Sequence, residues 1–240
     1  MAFRYSPKIV TDGLVSYLDA ANRNSIISGS TVWNDLSKNT INNGTLTNGP
    51  IYNSSNGGNI IFDGSNDFVT LGNDSSLQIT NNLTLSVWFK TVSLSVAQTI
   101  AAKQWCNGNQ FSYSLTILTN GNIQWYWIPS GNCSGNPVGT YTTNSSVITT
   151  NTWNNVSVVH TSTSVNIYIN GILAPSTLVG SYSSLFNSTS PLNIGIYRNL
   201  GGSYSDAFNG NMSNIQIYNR ALSVTEVLQN YNTMKSRFGR

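Results

Sequence analysis

The acidic side chains of this 240-residue chain are the first candidates for catalysis, and they are few and scattered. Retaining glycoside hydrolysis, for example, needs two carboxyl groups about 5 Å apart, one as nucleophile and one as acid/base. Glu226 is the only glutamate, and no two aspartates share one face of a predicted strand at i, i+2 or i, i+4 spacing. The chain is therefore predicted to be non-enzymatic, with no catalytic residue among its aspartates, which are Asp12, Asp19, Asp35, Asp63, Asp67, Asp74 and Asp206.

The chain contains one histidine, His160, at the end of the segment VSVVH. Because strand residues alternate between two faces, it shares a face with Val156 and Val158. We interpret it as a partly buried strand residue rather than as a catalytic base. A single histidine also excludes a zinc site that is built on several histidines.

One loop offers oxygen ligands for a calcium ion. The segment DGSNDF carries Asp63, Asn66 and Asp67, and Asp74 follows shortly after it. Calcium in proteins takes about six to eight oxygen ligands, many of them from carboxylates. The alternative is that Asp63 and Asp67 accept backbone amides in a tight turn, as aspartates commonly do. We favour the turn because acidic residues are scarce, and we predict no other cofactor.

Most of the chain alternates apolar and polar residues at period two, between clusters of Asn, Gly and Ser. About ten such segments without helical patterns between them predict an all-β fold, an antiparallel β-sandwich of the jelly-roll type. One short helix is predicted near the C-terminus, where Ser223 and Glu226 match a capping box and an apolar stripe follows. The clearest strand segments are 83–90, 111–118, 122–128, 154–161, 164–169, 191–198 and 213–218.

Two Asn-Gly pairs predict β-hairpins. Asn120-Gly121 and Asn170-Gly171 both favour a two-residue turn of type I′. In the first hairpin this turn would place Thr116 opposite Trp125. The register of that hairpin decides which of its side chains face the core, because a shift of one residue exchanges the two faces.

In the predicted register, Trp125 and Trp127 lie on an outer face among serines and threonines. Two outward indoles at i and i+2 suit stacking against a sugar, and they also suit a protein interface, where tryptophan is enriched. The third possibility is that a loop or the N-terminal segment covers them. Trp105 and Asn107 are the other candidate residues for binding a glycan or a protein partner. The core face would receive Phe111, Tyr113, Leu115, Ile117, Tyr126 and Ile128.

The chain has two cysteines, Cys106 and Cys133, whose spacing matches no metal motif. In the same register residue 108 lies opposite Cys133, so that both cysteines flank the open end of the hairpin. The prediction is a disulfide bridge or a close thiol pair. Reduced thiols would be expected if the protein were assembled in a bacterial cytosol.

The composition excludes several classes of protein. Charged residues are 8% of the chain and the net charge is +3, while aromatic residues reach 11%. A disordered chain would combine few aromatic residues with high net charge, so an ordered domain is predicted. The weak charge forms no basic patch, which argues against nucleic acid as a partner. The first residues contain no apolar signal segment, and no run of the chain has the length of a membrane span.

Seven pieces of the sequence resemble, in the right order, the LamG-like domains of the concanavalin A-like jelly-roll type. The resemblance covers nearly the whole chain and implies a sandwich domain over 10–232 that includes a helix at 222–232. An N-terminal arm over 1–9 and a C-terminal tail over 233–240 would flank this domain. The pieces are DGLVSYLDAAN, VWNDLSKNTINNGTLTNGP, IIFDGSNDFVTL, LTLSVWFK, TWNNVSVVHTSTSVNIYINGILA, LNIGIY and FNGNMSNIQIYNRALSVTEVLQNY.

The first and last pieces are similar to LamG-like structural proteins of tailed bacteriophages. This narrower resemblance implies a virion component of the head, neck or tail, made in the host cytoplasm, with other virion proteins as multimeric partners. The alternative is an extracellular carbohydrate-binding adhesin that recognises host or environmental glycans. Either way the termini are candidate docking arms or frayed ends, and the residues concerned are Phe3, Arg4, Tyr5, Lys235, Arg237, Phe238 and Arg240.

Overall fold

The computed structural model describes residues 8–133, 139–199 and 202–240. Within these ranges two antiparallel β-sheets pack face to face, so the predicted β-sandwich is confirmed. Apolar side chains from the two inner faces fill the space between the sheets. The strands are β1 (Leu14–Asp19), β2 (Val32–Trp33), β3 (Gly44–Thr47), β4 (Ile51–Asn53), β5 (Asn59–Asp63), β6 (Phe68–Thr70), β7 (Leu83–Thr91), β8 (Gln98–Trp105), β9 (Gln110–Ile117), β10 (Ile123–Trp127), β11 (Gly139–Thr143), β12 (Asn154–Thr161), β13 (Ser164–Ile169), β14 (Ile172–Leu173), β15 (Ser176–Val179), β16 (Leu192–Ile194), β17 (Tyr197–Arg198), β18 (Tyr204–Ser205) and β19 (Asn209–Tyr218).

The first sheet has the strand order β14-β13-β12-β7-β19-β5-β4, and β1 also pairs with β19. The second sheet has the order β15-β11-β10-β9-β8-β16-β6-β3-β2. A short hairpin, β17–β18, joins the second sheet through β8, where Arg198 lies beside Trp105 in parallel. The consecutive strands β8, β9 and β10 therefore form the middle of the second sheet.

The helix α1 (Val224–Met234) packs on the outer face of the first sheet. The predicted capping box is confirmed, because the Ser223 side chain accepts from the Glu226 N–H and the Glu226 carboxylate accepts from the Ser223 N–H. The ring of Tyr231 stacks on that of Trp88 with centroids 5.5 Å apart. The helix begins and ends two residues later than predicted. No helix within the described ranges is long and apolar enough to cross a membrane.

The residues after α1 pack against the same outer face. Lys235–Phe238 form a 3₁₀ helix, and the Phe238 ring lies 4.3 Å from the Trp88 ring, centroid to centroid. Arg237 forms an ion pair with Asp19 at 2.6 Å. This part of the predicted C-terminal tail therefore covers the sheet. The N-terminal candidates lie outside the described residues, namely Phe3, Arg4 and Tyr5.

The turn predicted at Asn170-Gly171 is confirmed. Both residues take positive φ values, 52° and 78°, as a type I′ turn requires. Ile169 pairs directly with Ile172, so the loop between β13 and β14 has two residues.

The turn at Asn120-Gly121 differs, and the predicted register is wrong. Of the two residues only Gly121 takes a positive φ, 78°. The Gly121 N–H donates to the Leu118 carbonyl and the Leu118 N–H donates to the Asn122 carbonyl, both at 2.9 Å. These bonds close a three-residue loop, and Ile117 rather than Leu118 pairs with Ile123. The one-residue change turns every side chain of β10 to the opposite face.

Trp125 and Trp127 consequently face the interior, and the expectation that they are exposed is wrong. Both indoles are 0% exposed, while Tyr126 lies on the outer face. An aromatic side chain removes about 150–250 Å² from water when it is buried, and tryptophan is the largest. Burying two indoles therefore favours this register over the one that would bury Tyr126 and Gln124. Phe111, which was also expected in the core, instead packs with Cys106, Ile128 and Tyr126.

Candidate functional site

A groove of about 630 Å³ runs over the outer face of the second sheet. Strands β8, β9 and β10 form its floor, and the β17–β18 hairpin forms one wall. One end lies at Leu118, beside the β9–β10 turn, and the other at Cys106 and Cys133. Polar side chains make up much of the lining, namely Gln104, Ser114, Thr116, Gln124, Asn199, Ser203 and Asp206.

The floor of the groove follows from the alternation of residues along β9 and β10. Ser114 and Thr116 point outward between core residues of β9, and they pair with Tyr126 and Gln124 of β10. The Ser114 and Thr116 hydroxyl oxygens are 3.2 Å apart, and the Gln124 side-chain N–H donates to Thr142 Oγ1 at 3.2 Å. The floor therefore presents hydroxyl and amide groups whose positions are held by neighbouring hydrogen bonds.

Tyrosine rings supply apolar surface to the groove. Tyr126 packs edge-to-face against Phe111 with ring centroids 5.0 Å apart, and Tyr197 lines the hairpin wall. Burial raises the pKa of Tyr126 above its usual value, so its phenol keeps its proton at physiological pH and can donate a hydrogen bond. A flat ring thus stands beside amide and hydroxyl groups.

Asp206 supplies a carboxyl group to the lining. Burial raises the pKa of this carboxyl group above its usual range. The Asp206 backbone carbonyl accepts from the Thr99 N–H at 2.7 Å, which fastens the end of the hairpin wall to β8. Among the described residues the lining contains no second acidic side chain and no histidine. The pair of carboxyl groups that glycoside hydrolysis requires is therefore not assembled in the described lining.

The predicted disulfide is confirmed, with Cys106 and Cys133 bonded and their Cα atoms 5.4 Å apart. Both residues line one end of the groove, next to Phe111 and Ile128. The bond ties the turn after β8 to the segment after β10 and so fixes that end. The error in the predicted register of β9 and β10 did not affect the predicted pairing of the cysteines, because Cys106 and Cys133 both lie beyond the ends of their strands.

A buried polar cluster lies directly beneath the floor. The Trp125 indole N–H donates to His160 Nδ1 at 3.0 Å, and His160 Nε2 lies 2.9 Å from the Ser183 carbonyl oxygen. The Trp127 indole N–H donates to Ser183 Oγ at 2.9 Å. Because Nδ1 accepts, the imidazole is neutral and its Nε2–H donates. Burial lowers the pKa of His160 to about 4, and the side chain is fully rather than partly buried.

The three aspartates among the calcium candidates accept backbone amides of turns, whereas Asn66 donates its backbone N–H to Asp63. Asp63 Oδ1 accepts from the N–H groups of Ser65 at 2.8 Å and Asn66 at 3.4 Å, and Asp67 Oδ2 accepts from the Asp63 N–H at 3.0 Å. Asp74 Oδ1 accepts from the N–H two residues ahead at 2.8 Å. This is the turn role offered above as the alternative to calcium. No three His, Cys, Asp or Glu side chains of the described ranges are grouped as a metal site.

Trp105 and Asn107 lie together at the rim, outside the lining of the groove. Trp105 ends β8 with 37% of its surface exposed, and Asn107 is exposed in the turn that follows. The Arg198 guanidinium lies over the Trp105 ring, 4.9 Å from its centre. The Asn107 side chain approaches Gly202, in the loop between β17 and β18.

The prediction from sequence missed most of the residues that line the groove. It assigned Tyr126 to the core and gave Gln124 no role, because a two-residue turn was assumed. The only signal in the sequence was the alternation of side chains along β10. A three-residue loop in place of a two-residue loop exchanges the two faces of that strand and so turns Tyr126 and Gln124 outward. Tyr197 and Asp206 come from a distant part of the chain, and nothing local marked them.

The sequence matches the model of a known protein family. Residues 63–228 match the model of a family described as the concanavalin A-like lectin/glucanases superfamily, Laminin_G_3. No curated protein matches the chain.

Solved structures share this fold at low sequence identity. One is domain 4 of AbnA, a GH43 extracellular arabinanase from Geobacillus stearothermophilus, in complex with arabinotriose: TM-score 0.67, 18% identity, 92% of this chain and 100% of that domain. Another is the ligand binding domain of botulinum neurotoxin serotype D in complex with N-acetylneuraminic acid: TM-score 0.67, 18% identity, 92% of this chain and 51% of that one. The binding domain of Paraclostridial Mosquitocidal Protein 1 gives TM-score 0.68 at 16% identity, over 91% of this chain and 52% of that one. The chain thus spans about half the length of these toxin domains.

Proposed function

The chain belongs to the concanavalin A-like lectin/glucanase superfamily, and on that premise we propose that it is a carbohydrate-binding module without catalytic activity. The observation that carries the proposal is the lining of the groove over β8, β9 and β10. There amide and hydroxyl groups stand beside tyrosine rings on an outer sheet face. The ligand would lie along these strands.

The lining suits the two kinds of surface that a sugar presents, hydroxyl groups at the ring edge and C–H groups on the ring face. Gln124 offers an amide that donates and accepts, and Thr116 offers a hydroxyl. Gln104, in contrast, is 5% exposed, and its amide donates to the Arg198 carbonyl oxygen. Tyr126 offers a flat ring for the C–H face. From Phe111 to Leu118 the floor extends about 23 Å, at roughly 3.3 Å per residue. This length suits an oligosaccharide better than a single sugar.

The comparisons support the proposal without naming a ligand for this chain. Domain 4 of AbnA has this fold in complex with arabinotriose, and its whole length aligns with the chain. The two toxin structures are described as a ligand binding domain and a binding domain. Recognition rather than hydrolysis is also what a lining with a single carboxyl group supports.

Binding is tested with the full chain against a panel of neutral and acidic polysaccharides, by affinity electrophoresis and then calorimetry. Tyr126→Ala and Gln124→Ala are expected to lower affinity about tenfold or more, because each removes a ligand contact from the floor. Tyr182→Ala is the matched control, since Tyr182 is an exposed tyrosine outside the lining. Unchanged affinity in both floor variants would contradict the proposal, as would release of reducing sugar from a bound polysaccharide.

We also propose a setting for this module, a structural component of a tailed-phage virion such as a head decoration, neck or tail-fibre protein. This proposal rests only on the resemblance of the first and last sequence pieces to LamG-like structural proteins of tailed phages. Capsid, neck or tail genes beside its gene, and co-purification with phage particles, are the expected observations. Genes for secretion beside it would instead favour an extracellular adhesin.

A further inference from the structure

Arg198 lies against two partly exposed aromatic rings at the rim of the groove. Its guanidinium carbon is 4.9 Å from the centre of the Trp105 ring and 5.3 Å from that of the Tyr204 ring. Strand pairing produces this arrangement, because Arg198 of β17 lies beside Trp105 of β8 and opposite Tyr204 of β18. Phe68 in turn supports the Tyr204 ring, with centroids 4.8 Å apart. The cation is therefore held by aromatic surface.

No acidic side chain of the described residues pairs with Arg198. In contrast, Arg220 is bound to Glu226 at 2.6 Å and Arg237 to Asp19 at 2.6 Å. A guanidinium that is already neutralised by a carboxylate has few donors left for a ligand. Among the described residues, no carboxylate pairs with the half-buried guanidinium of Arg198.

The hydrogen-bond donors of Arg198 are mostly unused. Nε and Nη2 share a single acceptor, the Gly202 carbonyl oxygen, each at 3.4 Å, which is long for a hydrogen bond. Within the part of the chain that the structure describes, the Arg198 side chain donates only these two bonds, and neither comes from Nη1. A guanidinium carries five N–H donors around its edge. Cation–π contact engages the face of the group, so among the described residues three of these edge donors have no protein acceptor.

The rim is continuous with the groove. Tyr197 and Asn199, on either side of Arg198, both line the groove, and the Arg198 carbonyl oxygen lies 3.4 Å from Gln104 Nε2. The groove itself contains the carboxyl group of Asp206, which disfavours an anion inside it. The positive charge of this wall therefore lies at the rim, and the described lining of the groove has no basic side chain.

We propose that the rim site, formed by Arg198 with Trp105, Tyr204 and Asn107, binds the oxyanion of an acidic sugar residue. The inference rests on carbohydrate binding in the groove and names its ligand class, a glycan that carries a carboxylate or a sulfate ester. Arginine donates two parallel hydrogen bonds to such oxyanions, a geometry that lysine cannot reproduce. Uncharged sugar units would occupy the groove and the charged unit would lie at the rim. If Arg198 only fastened the β17–β18 hairpin, its loss would affect charged and uncharged ligands alike.

The experiment uses pairs of oligosaccharides that differ in charge alone. One pair is oligogalacturonate and its methyl ester, and the other is a sulfated carrageenan oligosaccharide and its desulfated form. The parent chain is expected to bind the charged member of at least one pair about tenfold more tightly than the uncharged member. Arg198→Gln should abolish this preference and leave the affinity for the uncharged member unchanged. Arg198→Lys should restore only part of the preference, because it keeps the charge without the planar fork.

The outcomes separate the rim site from the groove. A preference that survives Arg198→Gln, or equal affinity for both members of each pair, overturns the rim site. If Tyr126→Ala still weakens binding in that case, carbohydrate binding in the groove stands. Failure of every oligosaccharide to bind the parent chain would remove the groove proposal and the rim site together. Poly-glutamate is the last probe, and Arg198-dependent binding as tight as that of oligogalacturonate would overturn the sugar assignment in favour of an acidic peptide.

Discussion

Trp125 donates its indole N–H to Nδ1 of His160 at 3.0 Å, across the space between the two sheets. The Ser183 carbonyl oxygen lies 2.9 Å from the other ring nitrogen, so both nitrogens of the buried imidazole have partners. Tyr126, the next residue in the sequence, lies on the opposite face of β10 and lines the groove. Adjacent residues of β10 therefore lie on different faces, Trp125 in the core and Tyr126 at the groove.

Trp125→Ala is expected to lower the free energy of unfolding by about 3–5 kcal/mol, because it leaves a cavity and removes the donor to His160. Tyr126→Ala should cost clearly less, since its ring is only partly buried. Urea denaturation followed by circular dichroism measures both values. The glycan affinity of the folded variant Trp125→Phe should stay close to that of the parent. A larger loss of stability in Tyr126→Ala would contradict the observed register.

Acid should destabilise the fold through His160. The pKa of this side chain is about 4 in the folded chain and about 6.5 when unfolded, so below pH 6.5 the unfolded state binds the proton more readily. The contribution of the neutral His160 ring to the free energy of unfolding is fully present above pH 6.5. It is lost as the pH falls towards 4, and the total loss is about 3 kcal/mol.

The control for the acid effect is His160→Gln, compared with the parent chain by urea denaturation at several pH values. The difference in unfolding free energy between the two should change between pH 6.5 and 4 and stay constant above pH 7. A difference that is independent of pH would show that His160 is not buried as a neutral ring.

Opening the Cys106–Cys133 bond should lower both stability and glycan affinity. The two residues are 27 apart in sequence, and the chain-entropy model gives about 3–4 kcal/mol for a loop of that size. The variant carrying Cys106→Ser and Cys133→Ser is compared with the parent chain, with and without reductant. Reductant should weaken glycan binding by the parent and leave the double variant unaffected. Full affinity in the double variant would mean that the bond does not shape the groove.

The C-terminal residues should contribute to folding. Phe238 is 6% exposed and its ring lies 4.3 Å from that of Trp88 and 4.7 Å from that of Trp153. Phe238→Ala is therefore expected to lower the free energy of unfolding by about 3–4 kcal/mol. Ser236→Ala is the matched control, because Ser236 is exposed in the same 3₁₀ helix and its replacement should cost less than about 0.5 kcal/mol. If Phe238→Ala cost as little as the control, these residues would again be candidates for a docking arm.

Local patterns in the sequence predict the elements of the fold well, because their causes are local. The capping box at Ser223 and Glu226 needs only a hydroxyl and a carboxylate three residues apart. The turn at Asn170-Gly171 needs two residues that tolerate positive φ. The groove is harder to predict, because its floor and its wall come from segments that are far apart in the sequence. Tyr126 belongs to the floor and Tyr197 to the wall.

The sequence by itself determined the sandwich class, the capped helix, the closeness of the two cysteines and the shortage of carboxyl groups for hydrolysis. Only the tertiary structure decided which face of β10 lines the groove. Asn120-Gly121 is compatible with a loop of two or of three residues, and local conformation does not choose between them. The choice rests on the burial of Trp125 and Trp127 against His160 of the opposite sheet. That contact spans 35 residues of sequence for Trp125, and no pattern within β9 and β10 contains it.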